Sequence, residues 1–154
     1  MTLDVLDELT LAWLGRVEVW VSLYWDEPYN TEGEFTLEVR PTEENLSLLR
    51  EGRWLRRNDS DVPMRICHRS NENQDSNLVV TGFPGTWIFT KRAGTSIVKN
   101  ENAEQAMRRL VNAMQPWPKL ELGAAVGFDT TYTAQTSGGS IMDYLMTIGA
   151  ACDL

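Results

Sequence analysis

Apolar and polar side chains alternate most regularly between Arg16 and Trp25. Val17, Val19, Val21, Leu23 and Trp25 fall on one face, and Arg16, Glu18, Trp20, Ser22 and Tyr24 on the other. A period of two predicts a half-buried strand. The turn-forming stretch Asp26 to Gly33 follows, with Pro28, Asn30 and Gly33. Alternation then resumes over Glu34–Arg40, with Phe35, Leu37 and Val39 on one face. The two segments read as a long hairpin. Shorter strands are expected at Thr2–Leu6, Arg53–Arg57, Pro63–Arg69 and Asn77–Thr81, with a polar loop at Ser70–Ser76.

Helical spacing takes over later. Ala103, Ala106, Met107, Leu110, Val111 and Met114 recur on one face of a helix, with Asn102 as its cap and Gln105 placed for a capping box. Pro116-Trp117-Pro118 is expected to stop it. A short helix is expected after Thr42, with Glu43 and Glu44 in its first turn, Leu46 and Leu49 facing inward and Gly52 ending it. Phe83-Pro84-Gly85 leads into another short helix through Trp87, Ile88 and Lys91. Strands at Lys119–Leu122 and Phe128–Gln135 and a helix from Ile141 to about Ala151, capped by Ser140, complete the chain. The pattern predicts a β-rich α+β protein: a barrel-like or split-barrel antiparallel sheet with peripheral helices. Residues 1–100 form its main β domain, and residues 101–154 a helix–strand–strand–helix segment that packs on it or starts a second unit.

Composition narrows the function. The 154 residues are 42% apolar and 23% charged, ordinary for a globular protein, and no apolar run reaches membrane-spanning length. The acidic N-terminus lacks the basic region of a signal peptide. Two cysteines make no disulfide framework and suit a reducing compartment. Cys67, Cys152 and the single histidine, His68, supply no standard zinc ligand set.

The net charge of −8 is unevenly distributed. Residues 1–49 hold 11 acids and 2 bases, residues 50–119 hold 7 acids and 12 bases, and residues 120–154 hold 4 acids and no base. Such blocks suit surfaces that meet oppositely charged protein. Six arginines lie between Arg50 and Arg69. Acids interleave with them, lysine is scarce and the pI is about 4.6, which favours carboxylates over nucleic acid as their partners.

Chemistry-bearing motifs are few. His68 is in phase with Met64 and Ile66, which predicts a partly buried, satisfied histidine, and adjacent Cys67 points to the opposite face. There is no nucleophile elbow. Asp59-Ser-Asp61 lacks the glycine and glutamate of a calcium loop. Gly82-Phe-Pro-Gly85 and Ser137-Gly-Gly-Ser140 lack phosphate-loop spacing and are assigned to turns and caps. No catalytic residue, cofactor or metal is expected. Among the six tryptophans, Trp25 falls on the apolar strand face. Trp20 shares the polar face with Tyr24, so it is either a contact residue or covered by a later segment.

The order of motifs carries a resemblance. Leu3-Asp-Val-Leu6 and Trp13-Leu-Gly15 precede the strand ending Ser22-Leu-Tyr-Trp25. Glu32-Gly-Glu-Phe-Thr-Leu-Glu-Val39, Thr42-Glu-Glu-Asn-Leu46, Leu49-x-x-Gly52 and Leu78-Val-Val-Thr-Gly82 leading to Lys91-Arg92 follow, then the helices Ala103–Met114 and Ile141–Ala151. Over nearly its whole length the chain resembles the N-terminal hub region of tail proteins from siphophages and prophages of Gram-positive bacteria, the ReqiPepy-type tail protein family. That family is similar to baseplate hub proteins and to the N-terminal part of tail-associated lysins.

The resemblance implies a non-enzymatic structural component of the distal tail or baseplate hub. Such a protein joins the tail tube to the tail tip as a homo-oligomer, with a trimer favoured, and touches other tail proteins. It implies a place in the virion tail, reached from the host cytoplasm; composition adds the expectation of no membrane partner and disfavours nucleic acid. The expected contact residues are Trp20 and Tyr24, Arg53, Arg56, Arg57, Arg65 and Arg69, and Tyr144, Leu145 and Ile148 of the last helix. In the resembling proteins the chain continues past this helix, so Leu154 is not expected to be a natural domain end: either the chain is one part of a longer or split hub, or a partner subunit covers this helix. The alternatives are a carbohydrate-binding module, which requires Trp20 or Trp54 exposed beside a groove, and a wall hydrolase, which requires a cleft with two carboxylates roughly 5–9.5 Å apart.

Overall fold

The computed structural model describes residues 1–28, 33–71, 76–94, 97–114, 120–135 and 138–153. The chain divides into two compact units, Met1–Gly85 and Thr86–Leu154. The division falls before residue 100 because the strand Ile97–Asn102, which lacks a clear period, pairs with Thr131–Gln135 and so belongs with the later residues.

The first unit is β1 (Leu3–Leu6), β2 (Trp13–Val17), β3 (Ser22–Asp26), β4 (Glu34–Val39), α1 (Glu43–Leu48), β5 (Trp54–Arg57), β6 (Met64–Ser70) and β7 (Leu78–Pro84). All seven strands form one antiparallel sheet in the order β2-β1-β5-β6-β7-β4-β3. The protein is thus α+β and β-rich. The sheet does not close: β2 and β3 are its two edges.

It is nevertheless strongly curled. Flat, its edges would lie about 29 Å apart at about 4.8 Å per strand. The five residue steps from Val17 to Ser22 reach about 18 Å at most. Contacts across the sheet agree. The Arg57 guanidinium of β5 sits 5.5 Å from the ring of Trp25 in β3, and Ser60 donates to Glu27. Inward residues from six strands, including Leu3, Val17, Leu37, Leu55, Met64 and Val80, make one core. This is a split barrel, curled but open.

The expected strand Arg16–Trp25 is two strands. β2 pairs with β1 and β3 with β4, at opposite edges, so residues 18–21 must leave one neighbour and reach the other. Val19 and Val21, in phase with buried Val17, are therefore exposed. The remainder of the hairpin forms as expected, with Trp25 opposite Phe35.

A register irregularity between Ile66 and His68 turns His68 outward, so it is exposed rather than partly buried. Its ring lies 4.0 Å from Glu51. Gly82 has no turn duty: it lies inside β7 opposite Phe35 and Ile66. In α1 the Thr42 hydroxyl accepts from Asn45 N at 3.2 Å, the expected cap.

The second unit contains a 3-10 turn (Gly85–Lys91, entering from the first unit), β8 (Ile97–Asn102), α2 (Ala103–Met114), β9 (Thr131–Gln135) and α3 (Ile141–Cys152). Asn102 Oδ1 accepts from Gln105 N at 3.1 Å and starts α2. Ser140 and Asp143 form a reciprocal capping box on α3. Val98, Ala103, Ala106, Leu110 and Ile148 form one apolar cluster, and Phe89, Val111 and Ile141 another. Residues 120–122 are not a strand, and the later one begins only at Thr131. The intervening loop is held instead by Glu104, whose carboxylate accepts from Val126 N and Gly127 N at 2.7 Å and Phe128 N at 3.3 Å. Pro116-Trp117-Pro118 and the polar loop at 72–75 lie outside the described residues.

Candidate functional site

The expected contact residues fall into three groups. The arginines are engaged within the chain. Asp4, central in β1, stands opposite Arg16 of β2 and Arg56 of β5. Its carboxylate accepts from Arg16 Nε at 3.0 Å, Arg56 Nη2 at 3.4 Å and the indole of Trp13 at 3.2 Å. Burial raises the Asp4 pKa, and these donors together outweigh it, so the group lies below the ordinary carboxylate value.

Arg53 donates to the Ser47 and Leu48 carbonyls at 2.7 and 2.9 Å, closing the end of α1. Arg57 makes two 2.9 Å hydrogen bonds to Asp59. Arg65 pairs with Glu8, and Arg69 donates to the Leu46 carbonyl at 3.1 Å. Arg56, Arg65 and Arg69 thereby join segments far apart in sequence, a use that local spacing does not reveal, whereas Arg53 and Arg57 find these acceptors close by along the chain.

The helix residues are also engaged. Ile148 is buried, and Tyr144 and Leu145 are half-buried against the apolar clusters of their own unit. The Tyr144 hydroxyl accepts from Gly139 N at 2.6 Å. Part of the helix's apolar stripe thus packs on α2 and the 3-10 turn, while Tyr144 and Leu145 keep part of their surface open and Met146 is exposed. Of the aromatic pair, Trp20 packs against the core of the first unit, whereas Tyr24 is exposed.

Exposed apolar side chains gather elsewhere in that unit. Leu9, Leu11, Trp13, Leu14, Val19, Val21 and Tyr24 all lie on the β1–β2 turn, the two free edges or the segment linking them. Trp13 is 61% exposed and Val19 75%. The turn is built, not loose: Asp7 Oδ1 accepts from Leu9 N, Thr10 N and the Thr10 hydroxyl at 3.1, 2.8 and 2.7 Å, and Asp7 N donates to the Ala12 carbonyl at 2.8 Å. Leu11 adopts φ 58°, a conformation costly for a branched side chain. Beside β2, a groove of about 530 Å³ is lined by Trp13, Leu14, Gly15, Arg16, Glu18, Glu44, Ser47 and Leu48.

Sequence reading assigned Leu9, Leu11, Trp13 and Leu14 no surface role, because an apolar side chain reads first as core. Their only sequence signal is Asp7-x-x-Thr10, a turn motif that breaks the apolar run. Among the described residues no cluster of metal-binding side chains occurs, and no described helix is long and apolar enough to cross a membrane.

A search of curated proteins finds no match. The family model described as siphovirus ReqiPepy6 Gp37-like protein matches residues 2–154. The match spans both units, so the chain belongs to the siphovirus ReqiPepy6 Gp37-like family.

Proposed function

We propose that the protein is a structural component of the phage tail. In this reading it is a distal tail or baseplate-hub protein that links the tail tube to the tail tip by protein–protein contacts, without catalysis. Membership of a siphovirus family supports a structural role in the phage. The observation that carries the reading is the gathering of exposed apolar side chains on the two free sheet edges and their link. Edge strands present unpaired backbone donors and acceptors, and proteins leave them apolar chiefly where another chain covers them.

Self-association as a ring, with a trimer favoured, follows if one copy's edge meets a different patch on the next. The protein would then reside in the virion tail after assembly from the host cytoplasm. The carbohydrate-binding alternative loses the residues it named, since Trp54 is buried and Trp20 packs against the core.

Mass spectrometry and antibody labelling of purified particles test the assignment. Label confined to the distal end of the tail is the expected result, and particles complete without the protein would overturn it. Light scattering, alone and with tail-tube and tail-tip proteins, tests the ring; a monomer under all these conditions would refute it.

A further inference from the structure

The groove beside β2 identifies a kind of partner. β2 is hydrogen-bonded to β1 alone among the described strands, and its register irregularity leaves Leu14 opposite no residue of β1. It carries neither lysine nor proline, the residues that usually blunt an edge. Its one cation, Arg16, is drawn to Asp4 at 3.0 Å. Across the groove, Trp13, Leu14 and Leu48 supply apolar surface. Glu18 and Glu44 supply two exposed carboxylates with no side-chain partner among the described residues. The hydrogen-bonded turn at Asp7 fixes the start of the strand, so little ordering cost remains for a ligand strand.

We propose that the β2 edge docks an extended, basic segment of a partner protein. The segment adds to the sheet as a further strand, placing apolar side chains on Trp13, Leu14 and Leu48 and lysine or arginine against Glu18 and Glu44. Strand addition takes its affinity from the backbone and its selectivity from alternate side chains. Here the charges select a cationic strand over an anionic one. This deepens the tail-protein reading and rests on it for treating the face as a protein contact.

Two synthetic nine-residue peptides test it, one alternating valine with lysine and the other valine with glutamate. They are titrated into isotope-labelled full-length protein and followed by backbone amide shifts. The lysine peptide should shift the amides of Trp13–Val17 and Glu18, and the glutamate peptide should not. The variant Glu18→Lys/Glu44→Lys should weaken the lysine peptide about tenfold or more. The same change in net charge at exposed Glu121 and Asp129 should alter binding less than about twofold. All four positions are exposed, and an unchanged urea midpoint verifies the fold of each variant.

Equal binding of both peptides, shifts confined to other strands, or equal losses in the two charge variants would overturn the proposal. So would sedimentation showing self-association that Glu18→Lys/Glu44→Lys abolishes, since the occupant would then be a second copy. Peptide docking at β2 by a protein missing from purified particles would overturn the tail assignment alone. Presence in the tail with no docking at β2 would overturn this inference alone.

Discussion

Replacing Gly82 with alanine should be among the most damaging single-methyl changes available in the first unit. Gly82 faces inward in β7 between β4 and β6. A Cβ there would lie 1.8 Å from the Arg65 carbonyl oxygen and 2.6 Å from Phe35 Cε1. Carbon–oxygen contacts of this kind settle at about 3.3–3.6 Å, so β6 and β7 would have to part by about 1.5 Å. Parting them releases about two ladder hydrogen bonds at about 1 kcal/mol each. Crowding the buried Phe35 ring adds about 1–3 kcal/mol. The expected loss is therefore about 3–5 kcal/mol, a large share of the roughly 5–15 kcal/mol of an ordinary domain.

Urea unfolding followed by tryptophan emission measures it, because Trp20, Trp25 and Trp54 all report on this unit. With a slope of about 1.5 kcal/mol per molar urea, the midpoint should fall by about 2 M or more, or the variant should fail to fold. Gly123→Ala is the control: nothing lies within 4 Å of its Cβ, and its midpoint should stay within about 0.3 M of wild type. If Gly82→Ala also stays within about 0.3 M, position 82 is not wedged between Phe35 and the β6 backbone and the reasoning fails.

Asp4→Asn should cost about 1–2 kcal/mol at neutral pH, a value discounted because Arg16 and Arg56 are about half exposed and screened. Since the folded Asp4 pKa is lowered, its contribution is present above the unfolded value near about 3.9 and fades as pH falls through the folded value. Urea midpoints of variant and wild type should therefore converge in acid, and a gap that persists unchanged there would refute the assignment. Glu104→Gln should speed hydrogen exchange at Val126, Gly127 and Phe128 by removing the carboxylate that their amides share. The Gly127 and Val126 amides chiefly hold the Glu104 pKa below its ordinary value, so wild-type protection should persist below the usual glutamate range and fail only in stronger acid; unchanged exchange in the variant would contradict this. Ile148→Ala should lower stability by about 2–4 kcal/mol in thermal or urea melts through a cavity in the second unit's core, and a loss of assembly without loss of stability would instead make Ile148 a contact residue.

Features settled within a few residues were legible in the sequence. The alternation over Glu34–Arg40, the apolar stripe from Ala103 to Val111 and the side-chain caps at Thr42 and Ser140 each depend on a strand or helix period or on one hydrogen bond to a near neighbour. The β-rich α+β class follows from those periods, and the order of motifs carried the family resemblance.

Tertiary structure decided what depends on distant neighbours. The alternation of Arg16–Trp25 suits one strand or two equally, and the exchange of β1 for β4 as partner divides it. The irregularity opposite β7 turns His68 outward although its period matches Met64 and Ile66. Ile97 and Val98 are followed by Lys-Asn-Glu-Asn, too polar to signal a strand until β9 pairs with it. Arg56, Arg65 and Arg69 read as partner-facing because their acceptors lie in distant parts of the chain, Arg56 finding Asp4 and Arg65 finding Glu8 only once the sheet has formed. Leu11, Trp13 and Val19 look like core material in any list of apolar residues. Leu11 becomes surface because it sits in the β1–β2 turn, and Trp13 and Val19 because the sheet curls without closing, leaving them on a free edge and on the segment that bridges the edges.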